Sequence, residues 1–296
     1  MAEHAATTHD VREKLESERS IRFVAVPWNP ASGARPGTDQ MIVHFIRHGQ
    51  GFHNAAAARA KEMGGTFPSG NASADAVMTL GGAVYTTPYM REEMVDPPLT
   101  QSGRDQARAL QPRTALLAPL FVAVSPLSRA ALTGLLAFAH AVDRSASGAR
   151  SIYSRSPDPS GAVPFVAHEL LRERIGVHTC DKRRTRSESE FDFPYVDFSL
   201  ISELDTQWTP AKRETDEEIS SRGYALLCWL HDATRRFSCD AGGAERKEVA
   251  VATHSSWLLS LFTTVLEIDR GEHPGLTEWF ATGEMRSVMV TLVAKA

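Results

Sequence analysis

Cysteine is scarce. The 296 residues hold three, Cys180, Cys228 and Cys239, an odd number at irregular spacing. That is no disulfide framework, and it fits a reducing compartment. No two of them have metal-ligand spacing. His178, Thr179, Cys180 and Asp181 do bring ligand-type side chains together, but one short cluster reads as plain loop, so no metal and no cofactor is expected. Long apolar runs are missing too. None approaches the roughly 18 residues of a spanning helix. The start, MAEHAATTHDVREKLESERS, has no apolar core of a secretory signal. Alanine at position 2 and the ending Val-Ala-Lys-Ala leave no site for myristoylation or prenylation. A soluble cytoplasmic protein with no membrane partner is expected. Nor does one sign of charge dominate: a net charge of -4 argues against a general nucleic-acid binder. What remains is ordinary globular composition, 42% hydrophobic and 23% charged. A chain this long buries a large core without staples.

Short apolar runs rich in β-branched and aromatic residues predict strands at 21–26, 41–46, 121–124, 163–167, 249–252 and 287–293. Helices are predicted at 10–19, 52–60, 100–117 with Thr100 as cap, 127–142, 216–237 and 256–267. Residues 64–98, rich in Gly, Pro and small side chains, read as a long irregular excursion. Residues 143–162 read as a mobile surface loop, and 169–210 mix charges and aromatics without a clean period. Alternating strands and helices predict a mostly parallel central sheet with helices on both faces, a three-layer α/β sandwich. The excursions at 64–98 and 169–210 supply a small cap. Residues 1–40 form an N-terminal extension and 41–296 one catalytic domain.

Three predicted strand ends carry polar groups of one chemical type. Met41 to Ile46 runs into Arg47-His48-Gly49 and then a helix start. The strand ending at Val124 runs into Ser125-Pro126-Leu127-Ser128-Arg129. The strand ending at Ala252 runs into Thr253-His254, with Ser255 and Ser256 opening a helix. In open α/β sheets ligands bind where strand C-termini meet helix N-termini, and a helix N-terminus favours anions. Arginine adds a fixed fork for phosphate oxygens, and a histidine of fixed tautomer is a nucleophile. Side by side, two arginines and two histidines suit phosphoryl transfer, where charge spreads over the non-bridging oxygens.

These blocks resemble the histidine phosphatase superfamily, the phosphoglycerate mutase-like proteins. Its first hallmark matches Arg47, His48, Gly49, Gln50 and Asn54. A second matches Pro98-Leu99-Thr100, Gly103 and Gln106-Ala107; a third matches Ser125, Pro126, Leu127, Arg129, Ala130 and Thr133. The second histidine after a strand matches His254. The blocks come in family order between about residues 41 and 290. The resemblance implies that His48 is the phosphorylated nucleophile and that Arg47, Arg129 and His254 hold the phosphoryl group. It implies a further hydrogen bond from Asn54, and it assigns Gly49, Gln50 and Ser255 to substrate binding. It also implies an acid for the leaving oxygen. Glu173, in Leu170-Leu171-Arg172-Glu173-Arg174-Ile175-Gly176, is the best match, one residue closer to the glycine than in the family; Glu169 is the alternative. Two departures stand out: Gly51 replaces a serine common in the mutases, and Ser255 replaces a glycine.

The densest positive run, Lys182 to Arg186, follows the acid segment. A solvated loop balanced by Glu188, Glu190 and Asp192 is the plain reading; the functional alternative is that Arg183 and Arg184, with Arg186, clamp an extra anionic group. Trp208, Trp257 and Trp279 are expected to pack in the core. The expected activity is metal-independent hydrolysis of a small phosphorylated substrate through phosphohistidine. The alternatives are a phosphomutase of the phosphoglycerate mutase type and a catalytically inactive phosphate-binding module.

Overall fold

The computed structural model describes residues 11, 12, 14, 19–66, 77–142, 148–152, 162–240 and 247–294. Its strands are β1 (Ile21–Pro27), β2 (Gln40–Arg47), β3 (Val77–Leu80), β4 (Ala83–Thr86), β5 (Val122–Val124), β6 (Phe165–Ala167), β7 (Val196–Asp197), β8 (Glu248–Thr253), β9 (Leu266–Glu267) and β10 (Met285–Ala294). Its helices are α1 (Phe52–Glu62), α2 (Gln101–Arg108), α3 (Gln111–Thr114), α4 (Ser128–Ala137), α5 (Arg186–Asp192), α6 (Asp216–Asp240) and α7 (Ser255–Ser260). Eight strands share one sheet in the order β7-β6-β5-β8-β2-β10-β1-β9. Only β10 runs against its neighbours, β1 and β2; the other five pairings are parallel.

Side chains alternate across a strand, and the sheet uses both faces. Val249 and Val251 of β8, with Val43 and Phe45 of β2, pack against Leu226 and Leu230 of α6 and Trp257 of α7. Ala250, Ala252 and Ile46 turn to the opposite face and meet Ala131 and Ala137 of α4. Helix, sheet and helix make the three layers that the alternating pattern predicts. No helix among the described residues is long and apolar enough to cross a membrane.

Several local expectations need correction. The helix expected over 100–117 is two short helices, because Pro112 has no N–H for the Arg108 carbonyl. The excursion at 64–98 contains the β3–β4 hairpin. Helix 256–267 stops early: a π-type turn at Leu261–Val265 ends it, and Leu266 pairs with Phe23 of β1. The 169–210 segment hides α5, opened by a reciprocal cap between Thr185 and Glu188. Residues 21–27, assigned to an extension, are a strand inside the main sheet, so the sheet reaches back past residue 41. The helix expected at 10–19 and the loop at 143–162 lie mostly outside the described residues.

The parallel strands β5, β8 and β2 end together. Val124 and Ile46 both pair with Ala252, and Arg47 pairs with Thr253. The turn after β2 is held by the second sequence block. Thr100 caps α2 through the Gly103 amide and also donates its own amide to the Gln50 carbonyl at 2.9 Å. The Gln50 amide donates to Gln106 Oε1 at 2.8 Å. The two glycines touch: a Cβ on Gly49 would lie 2.2 Å from the Gly103 oxygen, and one on Gly103 would lie 2.1 Å from the Gln50 oxygen.

In an open helix, Gly103→Ala would stabilise by about 0.5–1 kcal/mol. Here backbone must move apart, and overpacking costs about 1–3 kcal/mol, occasionally more. Gly103→Ala is therefore expected to lower the urea midpoint of unfolding. A raised midpoint would show that the two backbones are not in contact.

Candidate active site

A cleft of about 170 Å³ opens at these strand ends, lined by Arg47, His48, Asn54, Arg129, Glu173 and Ser255 among others. The position of His48 follows from the ladder: its amide donates to the Thr253 carbonyl at 2.9 Å, one step past the strand pair. Its ring Nδ1 lies 2.6 Å from the Gly49 carbonyl oxygen. A carbonyl only accepts, so Nδ1 carries the proton and Nε2 keeps its lone pair. Burial, with Arg129 and Arg47 adding repulsion, holds His48 well below the usual histidine range. His254 is fully buried, its ring 5.0 Å from that of His48, with Nε2 hydrogen-bonded to Ser125 Oγ at 2.8 Å.

The arginines are anchored at their far ends. Arg47 donates to the Phe280 carbonyl at 2.6 Å. Arg129 donates to the Cys180 carbonyl at 2.7 Å and to Asp181 Oδ1 at 2.9 Å. A third arginine joins them: Arg213 donates to Asp181 Oδ2 at 2.8 Å and to the Gly176 carbonyl at 2.7 Å. Burial alone would raise Asp181, but Arg213 and Arg129 hold it below the usual carboxylate range. The Nε–H groups of Arg47, Arg129 and Arg213 are buried without a partner among the described residues, as is His254 Nδ1. Buried donors are normally satisfied, and these stand in residues that line the cleft, apart from His254, while Arg172 and Arg186, outside it, also carry a buried Nε with no hydrogen-bond partner.

The segment carrying Asp181 is strained. Val177, a β-branched residue, has φ 61°, a conformation that costs on the order of 1–3 kcal/mol. It is held by its amide on the Thr209 carbonyl at 2.8 Å and by Arg213 on Gly176. The ligand atoms of His178, Cys180 and Asp181 lie within 4.8 Å of one another. Both Asp181 oxygens are nevertheless taken by guanidinium groups, so this carboxylate serves as their anchor.

Glu173 sits at the N-terminus of α7. Its carboxyl accepts from the Ser256 and Trp257 amides at 3.2 and 3.1 Å and from Ser255 Oγ at 3.3 Å. Glu169 does not line the cleft and pairs with Arg183 and Arg172 at 2.8 and 3.4 Å. Asn54 lines the cleft and caps α1 through the Gly51 amide at 3.0 Å.

Five of the expected binding residues are engaged away from the cleft lining. Gly49 gives its amide to Thr133 Oγ1, and Gln50 accepts from the Thr100 hydroxyl through its side chain; neither lines the cleft, and both hold the turn. Arg183 is buried on Glu169 and on the carbonyls of Ser202 and Leu204. Arg184 reaches Asp96, Asp192 and Ser128. Arg186 faces Glu190 and Glu203. Arg183, Arg184 and Arg186 are engaged in internal ion pairs, Lys182 lies 5.0 Å over the Trp208 ring, and none of the four lines the cleft. Sequence reasoning missed His53, Tyr89, His178, Asp181 and Arg213 as cleft residues. It also misplaced Trp279, which is 52% exposed and stands at the cleft with Arg47 5.7 Å from its ring. Trp257 is in the core as expected.

Comparison with known proteins gives three kinds of match. The family profile "Histidine phosphatase superfamily (branch 1)" matches residues 87–146, which include the second and third sequence blocks. The chain is 30% identical over 269 residues to "Phosphoglycerate mutase-like protein 1" of Arabidopsis thaliana, covering 84% of this chain and 80% of that one. A second Arabidopsis thaliana protein, "Phosphoglycerate mutase-like protein", is 28% identical over 249 residues, 80% of this chain and 79% of its own. Among solved structures, a phosphoglycerate mutase from Bacillus anthracis aligns with TM-score 0.47 at 12% identity, covering 87% of this chain and 92% of its own.

The buried histidines give a pH test. Burial, then neighbouring cations, hold His48, His53 and His254 well below the usual value in the folded chain. Unfolded, each takes a proton near pH 6.5. The unfolded state therefore binds more protons below that pH, and stability falls as pH falls, by up to about 1.4 kcal/mol per unit per histidine. Unfolding in urea at pH 7.5 and 5.5, above the range where carboxylates titrate, is expected to show a clear loss. Equal stability at the two pH values would contradict the neutral histidines.

Proposed function

The chain belongs to the histidine phosphatase superfamily, with phosphoglycerate mutase-like relatives, and from that premise we propose that it is a metal-independent phosphatase acting on small phosphomonoesters through a phosphohistidine at His48. One observation carries this most: Nδ1 of His48 is committed to the Gly49 carbonyl, which leaves Nε2 as the nucleophile in a wall of unpartnered guanidinium donors.

In the first step Nε2 attacks phosphorus and the bond to the leaving oxygen breaks. Glu173 gives that oxygen its proton. The non-bridging oxygens rest on Arg47, Arg129 and His254, with Asn54 alongside, so the charge of a loose transition state meets fixed donors. In the second step water attacks phosphorus, its proton passes to Glu173, and the P–N bond breaks to return neutral His48. The arginines supply the positive charge for which other phosphatases use metal ions. Hydrolysis is favoured over mutase chemistry because Arg183, Arg184 and Arg186 are engaged in ion pairs and do not hold a bisphosphate donor over His48.

Rapid quench with labelled phenyl phosphate is expected to trap an acid-labile, alkali-stable label that is absent from His48→Ala. A label surviving that change would place the nucleophile elsewhere. Phosphate release is expected to persist in excess chelator and without a bisphosphate primer. Activity lost on chelation and restored by Mg²⁺ or Zn²⁺ would remove the metal-free mechanism.

Glu173→Gln distinguishes an acid from a structural residue. General acid catalysis is worth about 10²–10⁴-fold, and it matters most for basic leaving groups. The variant is expected to lose activity in that range on alkyl phosphates. With nitrophenyl phosphate its first half-reaction is nearly spared and phosphohistidine accumulates. Glu169→Gln is expected to show neither effect, and exchanged behaviours would make Glu169 the acid.

A further inference from the structure

His53 is the second residue of α1, 4% exposed, and it lines the cleft. Its ring centre lies 5.8 Å from that of His48 and 6.1 Å from that of Tyr89. His44, His48, His168 and His254 each have a hydrogen-bond partner for a ring nitrogen. His53 has none among the described residues, and its Nδ1 is completely buried; His178 Nε2 in the same cleft and His231 Nε2 elsewhere are also buried without a partner. A polar group buried without a partner costs on the order of 1–3 kcal/mol. An apolar ring would fill the same space without that cost.

The chain also gives way to this ring. A Cβ on Gly51 would stand 2.6 Å from His53 Cε1 and 2.7 Å from its Nδ1. The backbone at Gly51 is extended, with φ -89° and ψ 163°, which any residue adopts. The backbone therefore does not call for glycine there, and a larger residue would displace the imidazole. This accounts for the departure from serine at position 51.

We propose that His53 is a third histidine of the oxyanion site, donating a ring N–H to an oxygen of the phosphoryl group held at His48, and that Gly51 is glycine to admit it. The proposal deepens the phosphatase function above and presupposes the same site. His53 is kept neutral by burial and then by Arg129 and His48. A neutral imidazole donates one N–H, and a bound dianion turns the surrounding repulsion into attraction. A charge-assisted bond of this kind is stronger than a neutral one.

The test reads binding of inorganic phosphate by titration calorimetry, which needs no turnover. His53→Ala and His53→Phe are expected to weaken phosphate binding about 10–100-fold, with His53→Gln retaining part of the affinity. His53→Phe keeps the ring and removes the nitrogens, so binding like that of the native chain would overturn the proposal and leave His53 a packing residue. Gly51→Ala is expected to weaken binding alone, by displacing the imidazole, and to add less than about twofold in a His53→Ala background. Equal effects of Gly51→Ala in both backgrounds would also overturn it. If the native chain binds phosphate but releases none from phosphomonoesters, the phosphatase function fails while the His53 comparison stands. If the native chain binds no phosphate, both fail.

Discussion

One ladder rung places the chemistry. The His48 amide donates to the Thr253 carbonyl at 2.9 Å, extending the β2–β8 pairing one residue beyond the strands. Its counterpart runs from the Ser125 amide to the Ala252 carbonyl, also at 2.9 Å. Because the three strands are parallel and in step, His48 and His254 emerge at one level, with Ser125 one residue below, beside Thr253. Ser125 then holds the His254 ring, which stands edge-on to His48. A slip of one residue would send each of these side chains to the opposite face. The glycine contact beneath the turn and the cap at Thr100 secure that register from below.

The second constraint is electrostatic. Arg129 and Arg213 approach the same cleft wall, and two buried cations repel unless an anion lies between them. Asp181 is that anion, fully engaged by both. It draws on the far ends of the guanidinium groups and leaves each Nε–H unpartnered. Burial, and after it the charge of Arg129, keeps His48, His53 and His254 neutral, and a nucleophilic imidazole must be neutral. Breaking a buried pair by removing one partner typically costs about 3–5 kcal/mol, so the strained turn at Val177 that delivers Asp181 is well compensated.

The fold class and the core of the site were legible because each signal is local. Arg47-His48 and His254 follow apolar strands directly, and Arg129 opens a helix just after one. Glu173 was legible as a candidate, and its place at the start of α7 is visible only in three dimensions. Most failures share a cause: a polar side chain reads as free in a sequence when a partner is distant. Arg184 pairs with Asp192, eight residues away and visible in the sequence, but also with Asp96, 88 residues away and not visible there. Arg213 drew no notice in the sequence, yet it meets Asp181 across 32 residues. Gln50 looked like a ligand group, but it is held by Thr100 from the second block. His53 had one usable signal, the glycine two residues before it, which has meaning only once the ring is seen beside it.

The central claim is that a carbonyl fixes the tautomer of His48 and thereby selects which nitrogen is phosphorylated. Nuclear magnetic resonance of the phosphoenzyme, with ¹⁵N-labelled histidine and phosphorus–nitrogen coupling, reads that nitrogen directly. The tautomer held by Gly49 predicts a single phosphohistidine, at His48, with phosphorus bonded to Nε2. Phosphorus on Nδ1, or on any other histidine, would contradict it.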